Sequence, residues 1–529
     1  MVSCNSGGAL CFLSGRSPLV DLGYTRYRGV RLPAGVDEYL GMRYAAPPLG
    51  QQRFRSPIDP VSTSSIEDAS QFGPTCIGVG EDILPLVGED CLFINVFTPS
   101  HTTNLSQLPV WVHIQGGGYA SNSNANFNGT NVVHQSGYDL VFVNFNYRVG
   151  ALGFLASEEV RRDGDLNVGL LDQRKALLWV QQHISKFGGD PGHVVVHGDS
   201  AGAGSVAHHM TAYGGRDDGL FAGAVLESPF WPTLRTVAEM EFQYTQLVHR
   251  VGCSEASSTL ACLRSVNLTV LQKGNVVDSF PGVPLDPPPL WYFLPVIDGA
   301  VVQDQLSRLF DRGNILKVPL LVGDDTNEGS TFAYNASNAS DMSRFLNANY
   351  PGLSPASMNA IHDAYPGLHP VPDHAAYFAP ASAAYGDATF TCPGNHIAAS
   401  MADRLPGRIW SYRYNVRAPE MIDQGLGVPH IFELSAIFGV GFAGTSETTS
   451  YNGINLNIVA TVMDYWISFV KAMDPNPRRN SQAPYWDPWK PGSARRLKMQ
   501  TNATGMEPIP QLQADRCSMW KALAPEMKV

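Results

Sequence analysis

Val194-Val195-Val196-His197-Gly198-Asp199-Ser200-Ala201-Gly202-Ala203-Gly204 decides how the chain reads. Three β-branched residues run directly into Gly-x-Ser-x-Gly, Gly198 to Gly202, and small residues continue through Ser205, Val206 and Ala207. That order spells a strand, a sharp turn and a helix start. Such a turn lifts the Ser200 hydroxyl clear of the backbone. Glycine on both sides avoids the collision that a Cβ would cause. With 51 glycines in 529 residues, a bare Gly-x-Ser-x-Gly can also be coincidence. Its meaning depends on whether the rest of the chain supplies a base, an acid and oxyanion donors.

Bulk properties narrow the partners. The composition is 44% hydrophobic and 16% charged, ordinary for a globular chain with a large core. The net charge is −11 and no Lys/Arg cluster interrupts it, so nucleic acid is not an expected partner. No run of 18 apolar residues exists, so no membrane span is expected. The eight cysteines lack C-x-x-C spacing and suggest disulfides rather than a metal or redox site. Six sequons start at Asn104, Asn128, Asn267, Asn335, Asn338 and Asn502. Together with the cysteines they favour a secreted glycoprotein. Met1 to Gly15, with no basic segment and an apolar patch only at Ala9 to Leu13, is a poor signal peptide.

Outward from Ser200, strands are expected at Cys91–Thr98, Pro109–Gln115, Leu140–Tyr147, Gly223–Glu227, Val318–Gly323 and Ile409–Tyr414. Gly169 to Phe187 carries a helical apolar face that ends at Gly188-Gly189. Ile458 to Met473 reads as the C-terminal helix. Strands separated by helices imply a mostly parallel α/β sheet. Stretches at about 68–90, 230–310 and 330–400, rich in Pro, Gly and Ser, read as insertions that build a pocket at the strand ends. Residues 1–529 thus read as one catalytic domain.

Gln115-Gly116-Gly117-Gly118-Tyr119 follows a strand directly. Its glycines let backbone N–H groups face a cavity where an oxyanion would form, with Ala201 N–H as a further donor. A Walker-type Gly-Lys-Ser is absent, which disfavours a phosphate loop. In this kind of site the chain order is Ser, acid, His. Asp324, Asp325 and Glu328 all follow the strand ending at Gly323, and composition does not choose among them. Two of them read equally well as caps for a helix near Ser330. Among the later histidines, His430 lies in a turn after the Ile409–Tyr414 strand. His362, His369 and His374 sit in the third insertion, and His396 follows Cys392-Pro393. No cofactor or metal is called for.

Gly116–Gly118, GDSAGAGS at Gly198–Ser205, EDCLFINVF at Glu89–Phe97, NVGLLDQRKALLWV at Asn167–Val180 and FGGDP at Phe187–Pro191 occur in order. With them the chain resembles type-B carboxylesterases, the family of cholinesterases and fungal lipases, and looks closest to secreted fungal carboxylesterases. The resemblance implies an α/β-hydrolase fold and hydrolysis of a small-molecule ester. It implies a triad of Ser200, Glu328 and His430 and oxyanion donors at Gly117, Gly118 and Ala201. It also implies disulfides Cys76–Cys91, Cys253–Cys262 and Cys392–Cys517, which leaves Cys4–Cys11. Salt bridges Arg53–Glu89 and Arg148–Asp172 are implied as structural. The pocket candidates are Tyr119, Phe230, Trp231, Trp291 and Phe390, the two tryptophans resembling acyl-pocket positions.

Two departures stand out. The short Cys76–Cys91 segment has no aromatic residue to face a quaternary ammonium, which disfavours choline esters, and it is shorter than a lipase lid. Asp199 stands where cholinesterases carry Glu. It is assigned to the pocket, with Asp199→Glu expected to alter substrate preference more than stability.

Overall fold

The computed structural model describes residues 17–122, 126–367, 370–443 and 449–529. Cys4, Cys11 and His369 lie outside the described residues. An eleven-stranded sheet runs through the molecule. In chain order its strands are β1 Val30–Arg31, β2 Val36–Arg43, β3 Phe93–Pro99, β4 Leu108–Ile114, β5 Val141–Phe145 and β6 Gly189–Asp199. They continue with β7 Gly223–Glu227, β8 Leu320–Asp325, β9 Ile409–Tyr414, β10 Arg495–Met499 and β11 Gly505–Pro508. The spatial order is β11-β10-β9-β8-β7-β6-β4-β5-β3-β2-β1. From β5 through β10 the neighbours are parallel, and the pairs at both edges are antiparallel. The fold is that of an α/β-hydrolase.

Period-two alternation sorts the central strands onto two faces. Val194 and Val196 of β6 join one core with Val110, Val112 and Val143. Val195 joins the other with Trp111 and Phe142. The first face is covered by α1 Val168–His183 and α2 Ala201–Gly215, through Leu170, Leu177, Val180, Val206 and Met210. Later in the chain come α3 Phe378–Gly386, α4 Cys392–Ala402, α5 Leu456–Ala472 and α6 Gln511–Met527. The second face is covered by α5, through Val462, Tyr465, Trp466 and Phe469.

The chain does not end on α5, as the sequence led us to expect. It adds β10, β11 and α6. Strand β10 reads Arg-Arg-Leu-Lys-Met and hides its alternation behind charge. Leu497 and Met499 are buried, and so is Arg496, because its guanidinium donates to Glu507 at 2.9 Å and lies 3.7 Å from Asp324. Helix α6 buries only Trp520, Ala524 and Met527, so its apolar face is sparse.

Buried ion pairs brace the core. Arg53 donates to both carboxylate oxygens of Glu89, and Arg148 to both of Asp172 at 2.7 Å. Removing Asp172 strands a guanidinium that is 2% exposed. Asp172→Ala is therefore expected to lower unfolding stability by about 3–5 kcal/mol, read from the urea midpoint. Among the described residues three disulfides close: Cys76–Cys91, Cys253–Cys262 and Cys392–Cys517. Among the described residues no helix is long and apolar enough to cross a membrane.

Candidate active site

The site lies at the carboxyl ends of β6, β7 and β8. At Ser200 the chain turns from β6 into α2 with φ 54° and ψ −122°. A non-glycine residue there costs about 1–3 kcal/mol, tolerated where neighbours fix the turn. They do. Ser200 N–H donates to the Glu227 carbonyl at 2.9 Å, and its carbonyl accepts from Gly204 at 2.9 Å and Phe230 at 3.2 Å. A Cβ on Gly202 would overlap the Ile114 carbonyl, and one on Gly198 would overlap the Gly202 backbone. Both glycines are thus demanded by close backbone packing.

Gly117 and Gly118 have φ of 101° and 62°. Among the described residues no acceptor is recorded for the N–H of Gly117, Gly118 or Ala201. The Gly116 N–H instead donates to Asp199 Oδ1 at 3.1 Å. Asp199 is fully buried, and His113 Nε2 lies 3.2 Å from the same oxygen. This corrects the expectation for Asp199. Its carboxylate braces the glycine loop from beneath rather than lining a pocket, and an added methylene would press on Gly116.

The three candidate acids separate cleanly. Glu328 Oε2 is bonded to His430 Nδ1, while its Oε1 accepts Ser228 O–H at 2.6 Å and Asp325 N–H at 2.7 Å. Asp324 accepts Thr391 O–H at 2.6 Å, and burial pushes its carboxyl up to about 7. Asp325 accepts Phe432 N–H at 3.2 Å. The expected helix near Ser330 is a single 3-10 turn, Glu328–Thr331, with Glu328 in its first turn. His430 Nε2 is buried without a hydrogen-bond partner among the described residues. An imidazole with Nδ1 anchored by a carboxylate and Nε2 unoccupied can take a proton from a hydroxyl and return it.

Aromatic rings wall this centre. His430 packs against Phe390 at 4.3 Å and Phe332 at 4.9 Å between centroids. Phe230 contacts Phe390 and Trp291, and Tyr119 contacts Phe230. The Trp291 ring packs against Gly118, where any Cβ would strike it, and its indole N–H donates to the Tyr385 hydroxyl oxygen at 3.0 Å. Phe390 sits on a π-helical turn, Asp387–Thr391, between α3 and α4, the kind of local bulge that re-aims a side chain at functional sites.

Trp231 is elsewhere, and this too is a correction. Its ring packs on Phe310 and His396 and lines a separate cavity of about 370 Å³ with Cys392, Cys517 and Trp520. Phe230 meets Phe390 and Trp291, while the next side chain, Trp231, meets Phe310 and His396 instead. His396 faces that same cavity, and His362 Nε2 shares a hydrogen bond with the Ser343 hydroxyl at 2.8 Å.

Sequence reasoning did not single out Ser228, Phe332 or Tyr385. Ser228 had a usable signal, since it directly follows β7 at the carboxyl edge of the sheet. The two rings had none, because aromatic residues of a large insertion are mostly core. Of the six sequon asparagines, Asn104, Asn267, Asn335, Asn338 and Asn502 are exposed and Asn128 is half-buried.

A Gly-x-Ser-x-Gly elbow, an imidazole hydrogen-bonded to a carboxylate and loop N–H groups without an acceptor among the described residues, on an α/β sheet, are the arrangement seen in the class of serine hydrolases. Within it the chain belongs to the carboxylesterase family, whose model matches residues 16–520. It is 31% identical over 511 residues to Secreted lipase 1 of Botryotinia fuckeliana (strain B05.10), covering 87% of this chain and 85% of that one. It is 33% identical over 386 residues to Lipase 1 of Geotrichum candidum, covering 64% and 68%. The crystal structure of Aspergillus niger EstA superposes with a TM-score of 0.96 at 57% identity, covering 97% of this chain and 99% of that one. The protein is a carboxylic ester hydrolase of the serine type.

Proposed function

We propose that this enzyme hydrolyses esters of short to medium carboxylic acids through an acyl-enzyme on Ser200. The observation that carries the reading is the Glu328–His430 pair with its unoccupied Nε2. Ser200 Oγ attacks the ester carbonyl and passes its proton to His430 Nε2. Negative charge on the carbonyl oxygen is met by the N–H groups of Gly117, Gly118 and Ala201. The alkoxide leaves with the proton from His430, and water, deprotonated by the same ring, releases the acid. Glu328 holds the imidazole in one tautomer and offsets its charge. The whole of residues 1–529 serves this one catalytic domain, with the insertions at 230–310 and 330–400 supplying Trp291, Phe332 and Phe390. The sequons, the disulfides and the name of the Botryotinia relative support an extracellular site of action.

Trp291 against Gly118 supports a confined acyl pocket. Trp291→Ala is expected to move the optimum of an aryl-ester series toward longer acyl chains, by about tenfold in relative kcat/KM. An unchanged profile would remove Trp291 from the pocket. A second reading, action on lipid aggregates, draws on exposed Ile83, Leu84 and Leu86 in the Cys76–Cys91 loop, which are 43%, 57% and 65% exposed. The same series measured below and above each ester's solubility separates the two. A smooth saturation curve supports the esterase reading, and a rate jump at the solubility limit supports the lipase one.

A further inference from the structure

Asp325 has no place in the proton transfers, yet both halves of the acid–base pair are fastened to it. It ends β8 and is 1% exposed. Its N–H donates to Glu328 Oε1 at 2.7 Å. Its Oδ2 accepts the N–H of Phe432, two residues beyond His430, at 3.2 Å. Its carboxyl group lies beside that of Glu433, whose Oε1 takes Tyr412 O–H at 2.8 Å. Asp325 Oδ1 and Glu433 Oε2 meet no N–H or O–H of another group among the described residues. Two carboxyl groups bond one another only by sharing a proton.

The residue between His430 and Phe432 explains why such a clamp is needed. Ile431 has φ 55°, left-handed backbone that a β-branched side chain strongly disfavours. Strain of that kind persists only where the surroundings over-determine it. Upstream of His430 the turn is already tied: Asn327 N–H donates to Val428 O, and Val428 N–H to Asn327 Oδ1, both at 2.9 Å. Downstream, Phe432 N–H is shared between Asp325 Oδ2 and the Pro429 carbonyl, both at 3.2 Å, and the Phe432 carbonyl accepts Tyr451 O–H at 2.9 Å, so Asp325 is the tie that joins this side of the turn to β8.

We propose that Asp325 is a positioning residue that, with Glu433, holds the strained Ile431 turn closed and so fixes the His430 ring against Glu328. The proposal rests on the reading of Ser200, Glu328 and His430 as the triad. It deepens that reading by naming what keeps the dyad in register.

The surroundings favour the shared proton. The pair faces the carboxylates of Glu227 and Glu328 and the hydroxyls of Tyr412, Tyr414 and Tyr451. Glu227 in turn meets His197, which burial keeps neutral. Burial first, and then the neighbouring carboxylates, push Asp325 well above the ordinary carboxylate range. A carboxyl whose pKa is raised by folding keeps its proton, and its contribution, at low pH. It loses both as pH rises through the raised value. The clamp therefore opens on the alkaline side.

The test compares wild type, Asp325→Ala and Asp325→Asn by kcat and KM on a short aryl ester from pH 5 to 10. Melting temperature and the rate of fluorophosphonate labelling at Ser200 are read alongside. Asp325→Ala is expected to lose on the order of 10²-fold in kcat and labelling rate with little change in KM. Asp325→Asn keeps both bonds, its amide donating to Glu433 without ionising. It is expected to stay near wild-type kcat at neutral pH and to hold activity further into the alkaline range. Wild-type kcat in Asp325→Ala, or equal losses in both variants, would overturn the proposal. Should Asp325→Ala fail to fold, identical alkaline limbs for Asp325→Asn and wild type would overturn it alone. Absence of labelling at Ser200 in the wild type would instead sink the triad reading.

Discussion

Ser200→Ala is expected to lower kcat on short aryl esters by about 10⁴- to 10⁶-fold while leaving the melting temperature near wild type. The two halves of that result have separate causes. In the proposed mechanism, chemistry is lost because the oxygen that would bond the acyl group is gone. What remains is the residual acceleration from binding and from the N–H groups of Gly117, Gly118 and Ala201. Stability is kept because the turn does not depend on the hydroxyl. Its hydrogen bonds to Glu227, Gly204 and Phe230 are all made by the Ser200 backbone, and alanine inherits the same φ of 54° and the same strain. Retained turnover would remove Ser200 from the mechanism. Loss of turnover together with collapse of the fold would leave its chemical role unproved.

Glu328→Gln is expected to cost about 10³- to 10⁴-fold in kcat, and Asp324→Asn far less. The comparison matters because both residues stand close together at the end of β8 and are both buried, Glu328 at 2% exposure and Asp324 at 5%. Only Glu328 reaches His430. A glutamine there turns an amide toward Nδ1 and favours the tautomer that puts the proton on Nε2, where it blocks uptake from Ser200. Asp324 serves Thr391 and the Arg496 guanidinium. Its asparagine variant still accepts the Thr391 hydroxyl and leaves His430 untouched. Stopped-flow or steady-state kcat on the same ester checks both. Equal losses would mean that the turn as a whole, rather than the Glu328 carboxylate, sustains the base.

The parts of this molecule with strong local signals were legible in the sequence. Val194 to Gly204 gave strand, turn and helix, because β-branched residues, close-packed glycines and small residues each leave a distinct mark. The Gly-rich loop at Gly116–Gly118 did the same. The partner of His430 was different. Composition left Asp324, Asp325 and Glu328 equivalent, and only the way the β8 end meets the His430 turn separates them. The aromatic cluster beside His430 was legible in part. Phe230, Trp291 and Phe390 do gather near His430, but Trp231 turns away, because a side chain's direction is set by a backbone that an aromatic residue does not announce. Asp199 was misplaced for the same reason, its carboxylate directed by a hydrogen bond to Gly116 that no pattern encodes. Strand β10 was hidden by Arg496, a buried cation made tolerable by Glu507 and Asp324, partners remote in sequence.

The most direct measurement is to inactivate the protein with a fluorophosphonate, digest it and locate the adduct by mass spectrometry. One adduct per chain, on the peptide that carries Ser200 and absent from His430→Ala, is the expected result. An adduct on another residue, or ester hydrolysis that continues with Ser200 unlabelled, would contradict the proposed mechanism.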